Sequence, residues 1–404
     1  MIGYGLLPAD FYDLLTRAVG DRVAPGFVAS VADRDGELFS AAAGSRMSGL
    51  CAPMAIDSIF WLASMTKLVT TIAAMQLVEA GQISLDQPVA GLLPELARPD
   101  VLHGFDSQGV ARIRPALGAI TLRHLLTHTS GIGYEAMNPM LWAARGADGP
   151  PPATSLASLE GVLATDPGAG WTYGYGIDWA GIAIERQSGL SLDRYFAENI
   201  FKPLGMQDTG FSIPQRAADR IVATHLRDDA GKVAVIPSLA GVPGDWEFKS
   251  GGGGLFGIAN DYLRLLRMVL CGGELEGTRI LQEQTVAAMW ENQIGDLAAG
   301  RLDTANPALV CAYDPVPGQT CGWSLLGVRN PFPVAERRSA GSAAWAGLAG
   351  TFFWIDRAAD LCGVLLAQLL PFGDPALGRV QRDFEAAAYA NVDRLRRERT
   401  RNAA

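Results

Sequence analysis

Strand-forming sequence in this 404-residue chain is concentrated near its two ends. FVASVADRDGELFSAAAG, at 27–44, is two runs of strand composition around the turn DRDG and predicts a β-hairpin. Strand patterns return only in CGWSLLGV, in SAAWAGLAGTFFWID and in LCGVLLAQLL, the last two joined by the polar turn DRAAD. Between about 95 and 245 the chain reads instead as helices joined by Pro/Gly-rich loops, among them ITLRHLLTHTSG, YGIDWAGIAIERQSG and LDRYFAENIFKPLG. After KSGGGGLFG come two further helix patterns, and RVQRDFEAAAYANVDRLRRER closes the chain as a long helix. A hairpin, a helical middle, then antiparallel strands with flanking helices is the order of an α+β sheet domain interrupted by a helical insertion. The expected division is a discontinuous sheet domain, 1–94 together with 246–404, and a mainly helical domain, 95–245, with the active site at their interface.

With 49% hydrophobic and 19% charged residues and no repeat of 20 to 50 residues, the composition is that of an ordinary globular protein. Only the tail RERTRNAA suggests disorder. A net charge of −9 argues against nucleic acid or an anionic membrane as partner, since both need a basic face. The one basic cluster, Arg394, Arg396, Arg397, Arg399 and Arg401, reads as a solvated helix face. MIGYGLLPADFYDLL lacks the basic start and continuous apolar run of a secretory signal, and LCGVLLAQLL is too short to span a bilayer. The five cysteines are odd in number and without a C-x-x-C pair, so they read as reduced thiols of a cytoplasmic protein. Cys311 and Cys321 are the one pair that sequence allows to bond.

The chain has four lysines against 29 arginines, yet Lys67 sits in the apolar stretch WLASMTKLVTTIAAM, three residues after Ser64. On a helix, positions i and i+3 share a face, so the serine and the amine can meet at the helix start. There the backbone amides and the positive end of the helix dipole lie close to any oxyanion formed at the serine. An amine in an apolar pocket can be brought to give up its proton, whereas a guanidinium cannot. S-x-x-K also fits a capping serine followed by a solvent-facing lysine. The apolar flanks Trp61, Leu62, Leu68, Val69 and Ile72 favour the buried reading, because a buried lysine without a task is costly. Gly81 stands where a left-handed residue would close this helix.

Two further stretches carry chemistry. DPGAGWTYGYGIDWAG delivers Trp171, Tyr173 and Tyr175 from a loop just before a helix, and a tyrosine near a lysine can relay a proton to a leaving group. Each is equally a packing aromatic when taken alone. GSAAWAGLAGTFFWID has little side-chain bulk around Trp345, as needed where backbone must approach a ligand, and a strand amide there is a candidate oxyanion donor beside the Ser64 amide. It also fits a small-residue strand packed under a helix. His124 and His128 lack the glutamate of H-E-x-x-H and are assigned local hydrogen bonds, as is Ser130. No G-x-S-x-G elbow occurs, which argues against an α/β-hydrolase.

S-x-x-K, ITLRHLLTHTSGI, the tyrosine of PGAGWTYGYGIDWAG, ENIFKPLGMQDTGF, SGGGGLFGIANDYLRL and the W-x-G of AAWAGLAGTFFWID occur in this order. Together, over roughly residues 10 to 390, they resemble the class C β-lactamase-like serine hydrolases, particularly the family VIII carboxylesterases. GFDSQGVARIR and WTYGYGIDWAG also look like the acyltransferases that load an acyl side chain onto a statin precursor. The resemblance implies a β-lactamase/transpeptidase-like fold, with Ser64 as acylated nucleophile, Lys67 as its base and Tyr173 as proton relay, the choice of Lys67 or Tyr173 as the group that removes the serine proton being open in such enzymes. It implies an oxyanion hole from the main-chain amides of Ser64 and Leu348, and a substrate pocket walled by Trp345, Gly347, Tyr175 and Trp171. It calls for no cofactor and no metal. Where a β-lactamase carries Lys-Thr-Gly this chain has Trp345, Ala346 and Gly347, and where those enzymes have Tyr-x-Asn it has Tyr173, Gly174 and Tyr175. The groups that grip a drug's carboxylate and side-chain amide are missing. Both changes favour neutral, apolar esters as substrates, with at most weak β-lactam hydrolysis. The expected activity is hydrolysis of short to medium acyl esters. The alternatives are acyl transfer to an alcohol or amine, and a non-catalytic binding protein on the same fold.

Overall fold

The structure, a computed structural model, describes residues 8–145, 155–237 and 247–403. The expected boundary at 245/246 lies outside the described residues, as do positions 146–154. The chain opens with helix α1 (Pro8–Gly20) and the expected hairpin, β1 (Gly26–Asp33) and β2 (Gly36–Gly44). A single 3₁₀ turn, Ala63–Met65, leads into α2 (Thr66–Glu79). The strand-poor middle holds two hairpins that the sequence reading missed: β3 (Asp100–Phe105) with β4 (Ala111–Pro115), followed by short helices and α3 (Gly176–Ser188), and then a short pair at His225–Arg227 and Val233–Val235. Then come α4 (Ala259–Leu270), strands β5 (Gly322–Ser324), β6 (Gly327–Arg329), β7 (Ala343–Gly347), β8 (Thr351–Asp356) and β9 (Leu361–Leu366), and the long α5 (Pro375–Ala403).

The main sheet is antiparallel, in the order β5-β6-β7-β8-β9-β1-β2. The two ends of the chain meet inside it, Val28 opposite Leu366 and Ala32 opposite Cys362. Neighbouring side chains on a strand point to opposite faces, and both faces are covered. On β8, Phe353 meets Tyr262 of α4 on one side and Trp354 meets Phe384 of α5 on the other. Phe39 of β2 stacks on Phe11 of α1, while Ser40 bonds Asn260 of α4. Every residue of β1, β7, β8 and β9 is therefore buried. This is the expected α+β arrangement, a β-lactamase/transpeptidase-like fold.

Three expectations change. SAAWAGLAGTFFWID is two strands, turning at Leu348–Gly350 where Gly350 takes φ +75°, and CGWSLLGV likewise forms β5 and β6. The carboxyl tail stays helical, because Arg396 and Arg399 both hold the buried Asp33 carboxylate at the β1–β2 turn. Those two arginines are anchors, where a solvated face was expected. Cys311 and Cys321 are both free thiols, in keeping with the reading of all five cysteines as reduced.

Candidate active site

The expected serine cap of α2 is not formed. Met65 occupies the cap without a side-chain hydrogen bond, and Ser64 lies one residue earlier in the 3₁₀ turn. Its hydroxyl oxygen accepts a hydrogen bond from Lys67 Nζ at 3.0 Å. Gly81 closes the helix as expected, at φ +69° with the Gln82 and Gly81 amides donating to the Leu77 and Val78 carbonyls. α2 is buried on all sides through most of its length, Lys67 included at 4% exposure.

Besides Ser64, the amine donates to Gly252 O at 2.6 Å and to Tyr134 Oη at 3.0 Å. It stands 4.9 Å from the ring centre of Tyr173 and 5.2 Å from that of Tyr134, within cation–π range of both. Tyr173 Oη accepts the Trp345 indole N–H at 2.8 Å. Trp345 thus orients the expected relay as well as lining the site. A small cavity of about 20 Å³ opens beside Ser64 and Lys67, walled by Leu68, Leu126, Ile177, Trp323, Leu326 and Trp345. Trp171 packs against Trp323 outside that cavity, and Tyr175 turns its hydroxyl to Glu135, itself paired with Arg145.

The end of β7 reaches the 3₁₀ turn that carries Ser64 through a glycine. A Cβ on Gly347 would lie 2.4 Å from Leu62 O and 2.2 Å from Thr351 Oγ1, so no side chain fits there. That approach brings Leu348 into contact with the cluster holding Trp61 and Ala63, beside Ser64. Ala63 itself adopts φ +47°, a left-handed conformation that alanine takes at a cost.

Two residues of the site escaped the sequence reading. Tyr134 ends the glycine-containing loop SGIGY, where a Cβ on Gly131 would sit 2.2 Å from Thr165 O. Burial, reinforced by the Asp178 charge, raises its phenol well above the ordinary tyrosine range. Asp178, on the first turn of α3 and 2% exposed, takes hydrogen bonds from Ser250 Oγ (2.5 Å) and Gly252 N (3.0 Å). Burial raises its carboxyl pKa despite these bonds and the Lys67 charge. The glycine-rich loops SGIGY and SGGGG mark places of close backbone approach, but they do not say which side chain is met there. His124 forms a capping box with Thr121, and Ser130 Oγ accepts the Ile132 amide. His128 Nδ1 accepts the Gly174 amide, and burial followed by the Lys67 charge holds its pKa well below the usual histidine value. It is a neutral ring against Tyr173 and Trp323.

Comparison with known proteins follows this geometry. Residues 11–388 match the β-lactamase family. Monacolin J acid methylbutanoyltransferase of Aspergillus terreus is 35% identical over 393 residues, 93% of this chain and 94% of the relative. Lovastatin esterase of Penicillium rubens is 32% identical over 380 residues, 90% and 94% of the two chains. Simvastatin synthase from Aspergillus terreus, unliganded, superposes with a TM-score of 0.81 at 32% identity, covering 95% of this chain and 98% of that one. The chain belongs to the β-lactamase family and is an enzyme of its serine hydrolase and acyltransferase type.

Proposed function

We propose that this enzyme is a carboxylesterase of the family VIII type, which takes short to medium acyl groups from neutral esters onto Ser64 and releases them to water. The observation that carries the reading is the 3.0 Å contact between Ser64 Oγ and a buried amine held from two other directions. Ser64 Oγ attacks the ester carbonyl carbon while its proton passes to Lys67, assisted by the neighbouring phenols. The oxyanion is stabilised by the Ser64 and Leu348 amides. Its collapse breaks the bond to the alkoxy oxygen, and that oxygen leaves as alcohol with a proton relayed by Tyr173. Water then attacks the acyl-enzyme by the same steps in reverse and regenerates Ser64.

The indole at Trp345, in place of a cation, and the apolar cavity wall support neutral acyl donors and at most weak β-lactam hydrolysis. In this reading Gly347 borders the pocket beside Leu348, and Trp171 and Tyr175 back its walls through Trp323 and Tyr134, at a cleft between the sheet unit (1–94 with 246–404) and the helical unit (95–245). The five unbonded thiols support a cytoplasmic enzyme. A second reading, in which an alcohol or amine replaces water, is favoured by the methylbutanoyltransferase relative, 35% identical along nearly the whole chain.

The test is hydrolysis of p-nitrophenyl butyrate by wild type and Ser64→Ala, with intact mass after brief mixing. The expected result is a transient butyryl adduct on wild type and loss of more than about 10³-fold in rate in the variant. Undiminished hydrolysis by Ser64→Ala would mean the active site lies elsewhere. An added alcohol that suppresses free butyrate while forming its own butyrate ester would select the transferase reading.

A further inference from the structure

Asp178 is a carboxylate with almost no exposure, in a site where the substrate as read above is neutral. A buried carboxylate is costly unless it is paired or fully hydrogen-bonded. Its bonds lead to one place. Oδ1 takes the Gly252 N–H at 3.0 Å, and the carbonyl of that same glycine takes the Lys67 amine at 2.6 Å. Ser250 Oγ fixes the carboxylate from the side at 2.5 Å. A Cβ on Gly252 would lie 2.2 Å from Asp178 Oδ2, so the bridge exists only because residue 252 has no side chain.

We propose that Asp178 is the positioning residue for Lys67: through the backbone of Gly252 it fixes the amine beside Ser64, and it supplies the buried negative charge that the amine is set against. This rests on the Ser64 acyl-enzyme reading. The groups facing Lys67 from the surrounding elements are Ser64 on its own turn, Tyr134, Tyr173, the neutral ring of His128, and Asp178 from α3. Glu135 and Tyr175 stand one step further out, bonded to each other. Asp178 is thus the carboxylate whose bonds reach the amine through a single residue.

The expected signature is in the pH dependence of acylation. An anion beside an amine favours its protonated form, so neutralising the anion lets the basic form persist to lower pH. In Asp178→Asn the amide oxygen can still accept from Ser250 and Gly252, which separates charge from geometry. The rate of Ser64 labelling by a fluorophosphonate, followed by mass against pH, should show its acidic limb moved about one unit to lower pH in Asp178→Asn. Ser250→Ala, which weakens the hold on the carboxylate charge, should move the limb the same way by less. A folded Asp178→Asn whose limb coincides with wild type overturns the proposal. If that variant does not fold, an unmoved limb in Ser250→Ala overturns it equally. Failure of wild-type Ser64 to label at any pH removes the acyl-enzyme reading itself, and this proposal with it.

Discussion

Two phenols compete for the proton relay. Tyr134 bonds the amine directly, whereas Tyr173 is bonded to Trp345 and faces the amine with its ring. Loss of one hydrogen bond to a charged group corresponds to roughly 10–100-fold, whereas loss of a general acid–base corresponds to about 10²–10⁴-fold. Tyr134→Phe is therefore expected to lower kcat for p-nitrophenyl butyrate by about tenfold, and Tyr173→Phe by at least about a hundredfold. The reverse ranking would make Tyr134 the relay. Ser64, Lys67, Tyr173 and Trp345 were legible in the sequence because each sits in a motif whose spacing or flanks carry physical meaning. Tyr134 and Asp178 were not. Each reaches Lys67 across the chain, Tyr134 by a separation of 67 residues and Asp178 through Gly252, and no local pattern encodes such a meeting.

At the level of elements, the turn of β7 into β8 couples sheet and nucleophile. Gly347→Ala would drive a methyl into Leu62 O and Thr351 Oγ1. The expected cost is about 1–3 kcal/mol in urea unfolding, together with a fall in kcat larger than that of an equally destabilising substitution remote from the site. Equal falls in the two would deny the coupling. The strand was legible from its small residues, but its break into two was hidden because no polar residue interrupts the run before Thr351; within the turn only Gly350, at φ +75°, marks it. The β3–β4 hairpin was missed for a different reason. DSQG carries its turn, in which Asp106 Oδ1 accepts the Gln108 and Val110 amides, but its strands lack a clean alternation: β3 buries Val101 and Leu102 side by side, and β4 buries no residue.

For the molecule as a whole, two buried carboxylates pull stability in opposite directions as pH changes. Burial pushes Asp261 up to about 6, against the roughly 3.9 of an unfolded aspartate, so folding takes up a proton between those values and stability declines as pH rises through them. The decline is at most about 3 kcal/mol. At Asp33 burial also raises the carboxyl, but the bonds from Arg399 and Arg396 outweigh it and hold it below its usual value. That contribution is present above pH ~4 and is lost as acid protonates the group. In Asp261→Asn, whose amide oxygen can accept the Asp208 and Thr209 bonds, Tm should lose its decline between about pH 4 and 6 while keeping its fall in stronger acid. A decline like that of wild type would place its origin elsewhere. The meeting of β1 with β9 in the middle of the sheet also bears on how the chain is made. The first hairpin leaves the ribosome with one edge unpaired, and its partner strand is synthesised only after more than 300 further residues. Until then β1 offers a largely apolar template to any other strand. Nascent chains of this protein are thus aggregation-prone for almost the whole of translation, and anything that stalls synthesis before β9 releases a product that cannot close its own sheet.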